Sequence, residues 1–293
     1  MSLSPTPKGA FALSGTILLF STLEVVGKSL SGRIDPFQLT FLRFFIGGIV
    51  MFLALCVRRE AAPPIRKLPG LFFLGVLNVG AAMNLLQLSL FLPGSRASTI
   101  ALIFSCNPVF VVLIAGATGK EKLTLTKCVA LALALLGMIT VLFPGIRDGL
   151  RLDASALTAL AASILFAVYT YLARSMSLSI GSLKMNAWSF LLGSLAVLPF
   201  LLIFHIPIVR FDPAVAPQVA YLAICVTGIA YFLYFKGLGY TGVGAGSTVF
   251  FFKPALAALF AFLYLRETPT FSFLVGTPLI LVGIYLVLRK PIR

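Results

Sequence analysis

The fold class this sequence predicts is an all-α integral membrane protein: ten transmembrane helices arranged as two inverted five-helix repeats. Three observations carry that expectation. Apolar runs of spanning length recur along the whole chain, an offset of 146 residues aligns its two halves without a gap, and each half holds an odd number of runs. The balance of residues agrees. With 60% hydrophobic and 11% charged positions, the chain is far from a soluble domain, which is about half apolar and about a quarter charged.

A hydrocarbon core about 30 Å thick needs about 20 apolar residues in a helix. Ten such runs can be placed, at 9–30, 36–56, 69–91, 96–118, 125–144, 154–176, 184–206, 214–236, 243–265 and 270–289. The first, from Ala10 to Val26, is longer than a signal-peptide core and has no small-residue cleavage site after it, so it reads as a retained helix. Connections are short, leaving no room for an inserted soluble domain.

The net charge of +15 does not mark a nucleic-acid binder, because Lys and Arg stand singly or in pairs between apolar runs. That spacing is an orientation signal. With the N-terminus inside, the cytoplasmic segments carry 14 Lys and Arg and the outer segments 7. Both termini are therefore expected in the cytoplasm, with the protein in a bacterial inner membrane. The four cysteines (Cys56, Cys106, Cys128, Cys225) form no C-x-x-C and read as small hydrophobes. Trp188 reads as an interfacial anchor and His205 as a membrane-edge residue.

Residues 1–146 and 147–293 form the two repeats. At the 146-residue offset Leu19-Phe20 falls on Leu165-Phe166, Gly47 on Gly193, Pro108 on Pro254, Glu121 on Glu267 and Gly137 on Gly283. Five spans per half force opposite insertion, and inverted repeats with a central site are a recurring transporter architecture that permits alternating access.

Charges inside the spans are the candidates for chemistry, because an intramembrane charge is costly unless it is paired, wet or functional. Glu24 lies about 21 Å from the cytoplasmic edge of the first span and Arg43 about 10 Å from the outer edge of the second, at about 1.5 Å per residue. The two stand at similar depth, so an ion pair between them, joined by Lys28 one turn on, is expected. It would serve as a gate or a proton-coupling carboxylate, or as a plain salt bridge tying the first two helices. Lys253, in the stretch S-T-V-F-F-F-K-P from Ser247 to Pro254, lies near the midplane of the ninth span. Its repeat counterpart is Asn107, also followed by proline, and the two are expected to face each other across the pseudo-two-fold axis. Lys253 is read as lining a solute cavity, with neutralisation by Glu24 as the alternative. Asn84 and Gln87 share a helix face, as do Tyr231 and Tyr234; with Tyr169 they complete the expected solute-binding set, each also able to serve as glue between helices. Glu121 and Glu267 are expected to cap or bridge helix ends. Gly242, Gly244 and Gly246, with no preceding strand, are no nucleotide fingerprint and are expected to begin the ninth helix.

The arrangement of ten spans as five plus five, the arginine in F-L-R-F-F-I-G-G, the N-P of the fourth span and the paired spacing Pro108…Glu121 and Pro254…Glu267 resemble the EamA-type branch of the drug/metabolite transporter superfamily. The resemblance covers essentially the entire chain. It implies export of amino acids or other metabolites, with nucleotide-sugars and sugar phosphates as the cargo of relatives, and it implies that the fifth and tenth helices are peripheral.

The expected function is a secondary transporter of small metabolites, foremost amino acids, working by export. The alternative is transport of anionic solutes such as sugar phosphates. The expected partners are a small-molecule solute, the lipid bilayer and, as a candidate coupling ion, the proton. No motif calls for a cofactor, a metal or ATP. An intramembrane enzyme would need a paired-aspartate, Ser/His or His/metal constellation, and the spans hold no aspartate beside the single histidine.

Overall fold

The protein, described here from a computed structural model, is defined over residues 7–119, 124–142, 153–246 and 248–288. Glu121 and Ser247, and the basic residues Lys120, Lys122, Arg147, Arg151, Arg289, Lys290 and Arg293 counted for orientation, lie outside those stretches. Among the described residues the chain is helical throughout and contains no strand.

Among the described residues seven helices are long and apolar enough to cross a membrane: α1 (Pro7–Ser29), α2 (Pro36–Val57), α3 (Ile65–Phe91), α4 (Ala97–Ala117), α6 (Ala154–Ile180), α7 (Ser182–Ile203) and α8 (Pro213–Gly237). The sequence leads one to expect ten. Three further apolar helices, α5 (Leu125–Leu142), α9 (Thr248–Leu265) and α10 (Phe271–Leu288), occupy the remaining expected places but are shorter. Large apolar side chains such as Phe11, Leu53, Phe73, Leu136, Phe262 and Leu274 point outward from the helices. In a chain of this composition that outward surface suits lipid, and the protein is an integral membrane protein.

Local chemistry sets the helix starts. Asp35 accepts from the backbone N–H groups of Phe37 and Gln38, with Pro36 in the first turn of α2. Asp153 caps α6 and Asp212 starts α8 in the same way. Such carboxylates satisfy donors that a helix leaves unpaired.

Four helices depart from regular α geometry along their length. α1 is interrupted at Thr22, between Pro7–Ser21 and Leu23–Ser29. α4 is interrupted at Ser105 and Cys106, so that Asn107 opens a second helix, Asn107–Ala117. α3 and α8 both contain π-helical segments, Val76–Met83 and Tyr221–Ile229. Their last residues stand 146 apart, the offset of the sequence repeat. π segments gather at functional positions because the wider turn leaves carbonyls unpaired.

Glycines set the closest crossings. A Cβ on Gly75 of α3 would lie 2.2 Å from the Ser189 carbonyl oxygen of α7, and one on Gly193 would lie 2.5 Å from the Gly75 carbonyl oxygen. A Cβ on Gly47 of α2 would likewise crowd the Ala223 carbonyl oxygen of α8, at 2.9 Å. Gly137 and Gly283 let α5 and α10 pack on each other. Small residues at such crossings replace the hydrophobic drive that lipid removes. The Gly242, Gly244 and Gly246 run does not begin the ninth helix; it closes the helix Ala230–Gly246 that continues α8, and α9 starts at Thr248.

Candidate functional site

The break at Thr22 starts a short helix, Leu23–Ser29, with Glu24 in its first turn. The Thr22 hydroxyl bonds the Leu19 carbonyl at 2.8 Å and meets the Tyr221 hydroxyl at 2.9 Å, which holds the break against α8. α9 packs on Leu23–Ser29 and on the first part of α4. That packing delivers Lys253 to Glu24: Nζ donates to Oε1 at 2.5 Å, and both side chains are buried. The ammonium also lies 4.7 Å from the centre of the Phe104 ring. An aromatic face stabilises a desolvated cation.

Arg43, buried to 1% exposure, does not pair with Glu24 as its depth suggested. Its Nη1 donates to Gln87 Oε1 at 3.2 Å and its Nε to Thr227 Oγ1 at 3.4 Å. Depth alone could not decide between two cations for one carboxylate. The packing of α9 against the broken α1 gives Glu24 to Lys253, while α3 and α8 supply neutral acceptors for Arg43. Lys28 does not join either group, since its Nζ bonds the Ser95 hydroxyl. Gln87 in turn reaches the Gly27 carbonyl at 3.5 Å, linking α1, α2 and α3.

The remaining expected residues fall into two kinds. Asn84 donates from Nδ2 to the Val79 and Gly80 carbonyls at 3.0 and 3.1 Å, so it serves the π segment of its own helix. Tyr231 stacks edge-on with Phe20, Phe44 and Phe190 at 5.2, 6.0 and 5.0 Å, and its hydroxyl approaches Met83 Sδ at 3.8 Å. Tyr234 packs on Phe20, and Tyr169 donates to Asn186 Oδ1 at 3.4 Å. Asn107 is buried, and no hydrogen bond joins it to Lys253. What brings their two stretches together is Phe104, whose ring meets Lys253 while its carbonyl accepts from Ser163 at 3.3 Å. That carbonyl stands four residues before Pro108, which has no N–H to offer it.

Several polar atoms in this core are buried and have no hydrogen-bond partner: Glu24 Oε2, Arg43 Nη2, Asn107 Nδ2, Asn84 Oδ1, Asn186 Nδ2 and both amide atoms of Asn78. A buried polar group without a partner costs about 1–3 kcal/mol, so such a concentration needs an account. Sequence reasoning misses Asn78 and Asn186, although each is a lone amide in an apolar run, the same signal that marks Asn84.

Polar contacts also lie at both ends of the bundle. At the Ser95 end, Glu267 accepts from the backbone N–H of Ala97 at 2.8 Å and from the Ser98 hydroxyl at 2.9 Å, and Arg96 donates to the Thr268 carbonyl. Glu267 thus caps α4, as expected. At the other end Lys184 lies 3.7 Å from Glu60, and the Thr118 and Tyr171 hydroxyls meet at 2.7 Å.

The family model described as the EamA-like transporter family matches residues 7–143 and again 154–289. An uncharacterized transporter of Clostridium kluyveri is 29% identical over 290 residues, covering 94% of this chain and 91% of that protein. A probable terminal-alkyne amino-acid exporter of Streptantibioticus cattleyicolor is 26% identical over 261 residues, covering 86% and 84%. A solved crystal structure superposes with a TM-score of 0.68 at 21% identity over 95% of this chain and 96% of the other, a likeness of fold.

Proposed function

The chain belongs to the EamA-like transporter family, and from that premise we propose that it is a secondary transporter that exports amino acids by alternating access. The observation that carries this reading is the Glu24–Lys253 pair with its unfilled neighbours. Glu24 Oε2 and Arg43 Nη2 are buried without partners, one suited to an ammonium and the other to a carboxylate. Those are the two ends of a zwitterion, and the rings of Phe44, Phe190 and Tyr231 form an apolar wall for the body between. The amino-acid cargo named for the Streptantibioticus cattleyicolor relative supports the same class.

The spans are read as ten, with α5, α9 and α10 crossing as well, and as two inverted repeats at 1–146 and 147–293. The coincident offset of the π segments and the double match of the family model support that reading. Both termini are read as cytoplasmic, which the 14-to-7 bias of Lys and Arg supports, and the membrane as a bacterial inner membrane. Alternating access would exchange contacts such as those at the Ser95 end and at the Glu60–Lys184 pair between the two inverted halves. Within the site, Glu24, Arg43 and Lys253 act on the solute, Gln87 and Thr227 hold Arg43, and Lys28 belongs to the closure at the Ser95 end.

Solute release from proteoliposomes preloaded with labelled amino acids tests the reading, beside a thermal-shift panel of amino acids against sugar phosphates. Stabilisation by phosphates alone would overturn the zwitterion. For proton coupling, Glu24→Gln is expected to flatten the dependence of flux on external pH; an unchanged profile leaves Glu24 a structural partner of Lys253.

A further inference from the structure

The core holds a second group of buried polar atoms on the side of α3, α6 and α7, away from the ion pair. Asn78 stands within the π segment Val76–Met83, which packs against both α6 and α7. It is fully buried, and neither its amide nitrogen nor its amide oxygen makes a hydrogen bond. The Tyr231 hydroxyl lies beside that amide, and within electrostatic reach of Arg43 and Glu24. Across the same junction Asn186 of α7 is equally buried; its Oδ1 accepts from Tyr169 of α6, and its Nδ2 is free.

Two observations mark Asn78 as more than glue. Glue residues in membrane helices spend their polar atoms on a neighbouring helix, as Gln87 does on Arg43, or on their own, as Asn84 does on its π segment. Asn78 spends neither atom on a helix neighbour within hydrogen-bonding geometry, although the Tyr231 hydroxyl lies beside it. Moreover, the widened π turn gives a side chain at this place no carbonyl it needs to satisfy, since Asn84 already serves Val79 and Gly80. A residue with both polar valences unfilled in a packed core is destabilising, and a ligand that fills them is one account of its presence.

We propose that Asn78 and Asn186, with Tyr169 and Tyr231, form a specificity subsite that takes an uncharged hydrogen-bonding group, a hydroxyl or a carboxamide, at the far end of the solute's apolar body. This rests on the transporter reading above and adds to it the chemistry of the side chain carried. Asn78 can donate and accept at once, so the subsite does not discriminate between hydroxyl and carboxamide, but it does reject a methyl in their place. A site built to hydrogen-bond such a group leaves its own polar atoms unpaired when an apolar analogue enters.

The test uses the full-length protein in proteoliposomes with two matched solute pairs, L-asparagine against L-leucine and L-tyrosine against L-phenylalanine. The wild type is expected to move the polar member of at least one pair about 10-fold more efficiently, a modest share of what hydrogen-bond discrimination reaches elsewhere. Asn78→Leu, close in shape, is expected to erase that preference by slowing the polar member alone, and Asn78→Ser to keep part of it. Melting without solute is the second arm. Asn78→Leu is expected to melt no lower than the wild type, because it removes two unpaired atoms. An equal loss for both members of a pair, or a lower melting temperature with the preference intact, overturns the subsite and makes Asn78 a structural residue. If the wild type moves none of the four, the amino-acid reading fails by itself; the melting arm still decides, and a fall in melting temperature there overturns the subsite too.

Discussion

The stretch C-N-P in α4 and the stretch F-K-P in α9 occupy equivalent places in the two halves of the sequence, yet they do different things. In α4 the helix stops at Phe104 and restarts at Asn107, so Pro108 falls in the first turn of a new helix, where a missing N–H costs nothing. In α9 the helix runs through Pro254 unbroken from Thr248 to Leu265. There the proline sits in an interior position, and the charge beside it, Lys253, is tied to Glu24. One half has turned its proline into a backbone break, the other into a place for a buried ion. An equivalent place at the 146-residue offset therefore does not carry an equivalent role.

The comparison can be broken most forcefully at the charge. Lys253→Met is expected to leave Glu24 buried without its cation and to destabilise the protein by about 3–5 kcal/mol, since removing one member of a buried pair is that costly. The double variant Lys253→Met with Glu24→Gln should recover most of the melting temperature while flux stays absent. Asn107→Leu, at the equivalent place, is expected to melt close to the wild type, because the amide nitrogen it removes has no partner. Similar melting of Lys253→Met and Asn107→Leu would erase the distinction.

The prolines give the next largest contrast. Pro254→Ala restores an interior helix position and is expected to raise stability by up to about 3 kcal/mol, at the expense of turnover in a flux assay. Pro108→Ala, in a helix first turn, should change the melting temperature by little. Ser163→Ala comes next: it strips the Phe104 carbonyl of its donor and should cost about 1–2 kcal/mol, read by thermal melting. The smallest effect expected is at the α4 cap, where Glu267→Ala removes acceptors for Ala97 and Ser98 and should lower stability by about 1 kcal/mol, read by thermal melting.

Much of this is legible in the order of residues alone. A lysine, an arginine and a glutamate inside apolar runs mark themselves, because bilayer cost does not depend on how the helices pack. That Glu267 caps or bridges helix ends is legible from its place just beyond a helix, but the helix it caps, α4, is one that only the packing brings to it. The pairing of these charges is not legible. Glu24 and Arg43 have compatible depths, but depth is one coordinate, and the other two are set by which helix lies against which. Asn78 escapes notice for a related reason: an asparagine in an apolar run is ambiguous until its hydrogen bonds can be counted, and only the folded core shows that the Asn84 amide nitrogen is satisfied where Asn78 is not.

By itself the sequence determined that the chain lives in a membrane as a bundle of helices, that its halves share a plan offset by 146 residues, and which ionisable residues are trapped inside. These are properties of local composition and periodicity, and the bilayer enforces them residue by residue. The tertiary structure decided that α1 and α4 break and α9 does not, that α3 and α8 widen into π turns, and that Glu24 answers Lys253 and leaves Arg43 to Gln87 and Thr227. Each of those depends on a partner from a distant part of the chain, such as Tyr221 holding the Thr22 break and Ser163 covering the Phe104 carbonyl. No local rule contains that information, because the energy that selects it comes from contacts between segments far apart in the chain.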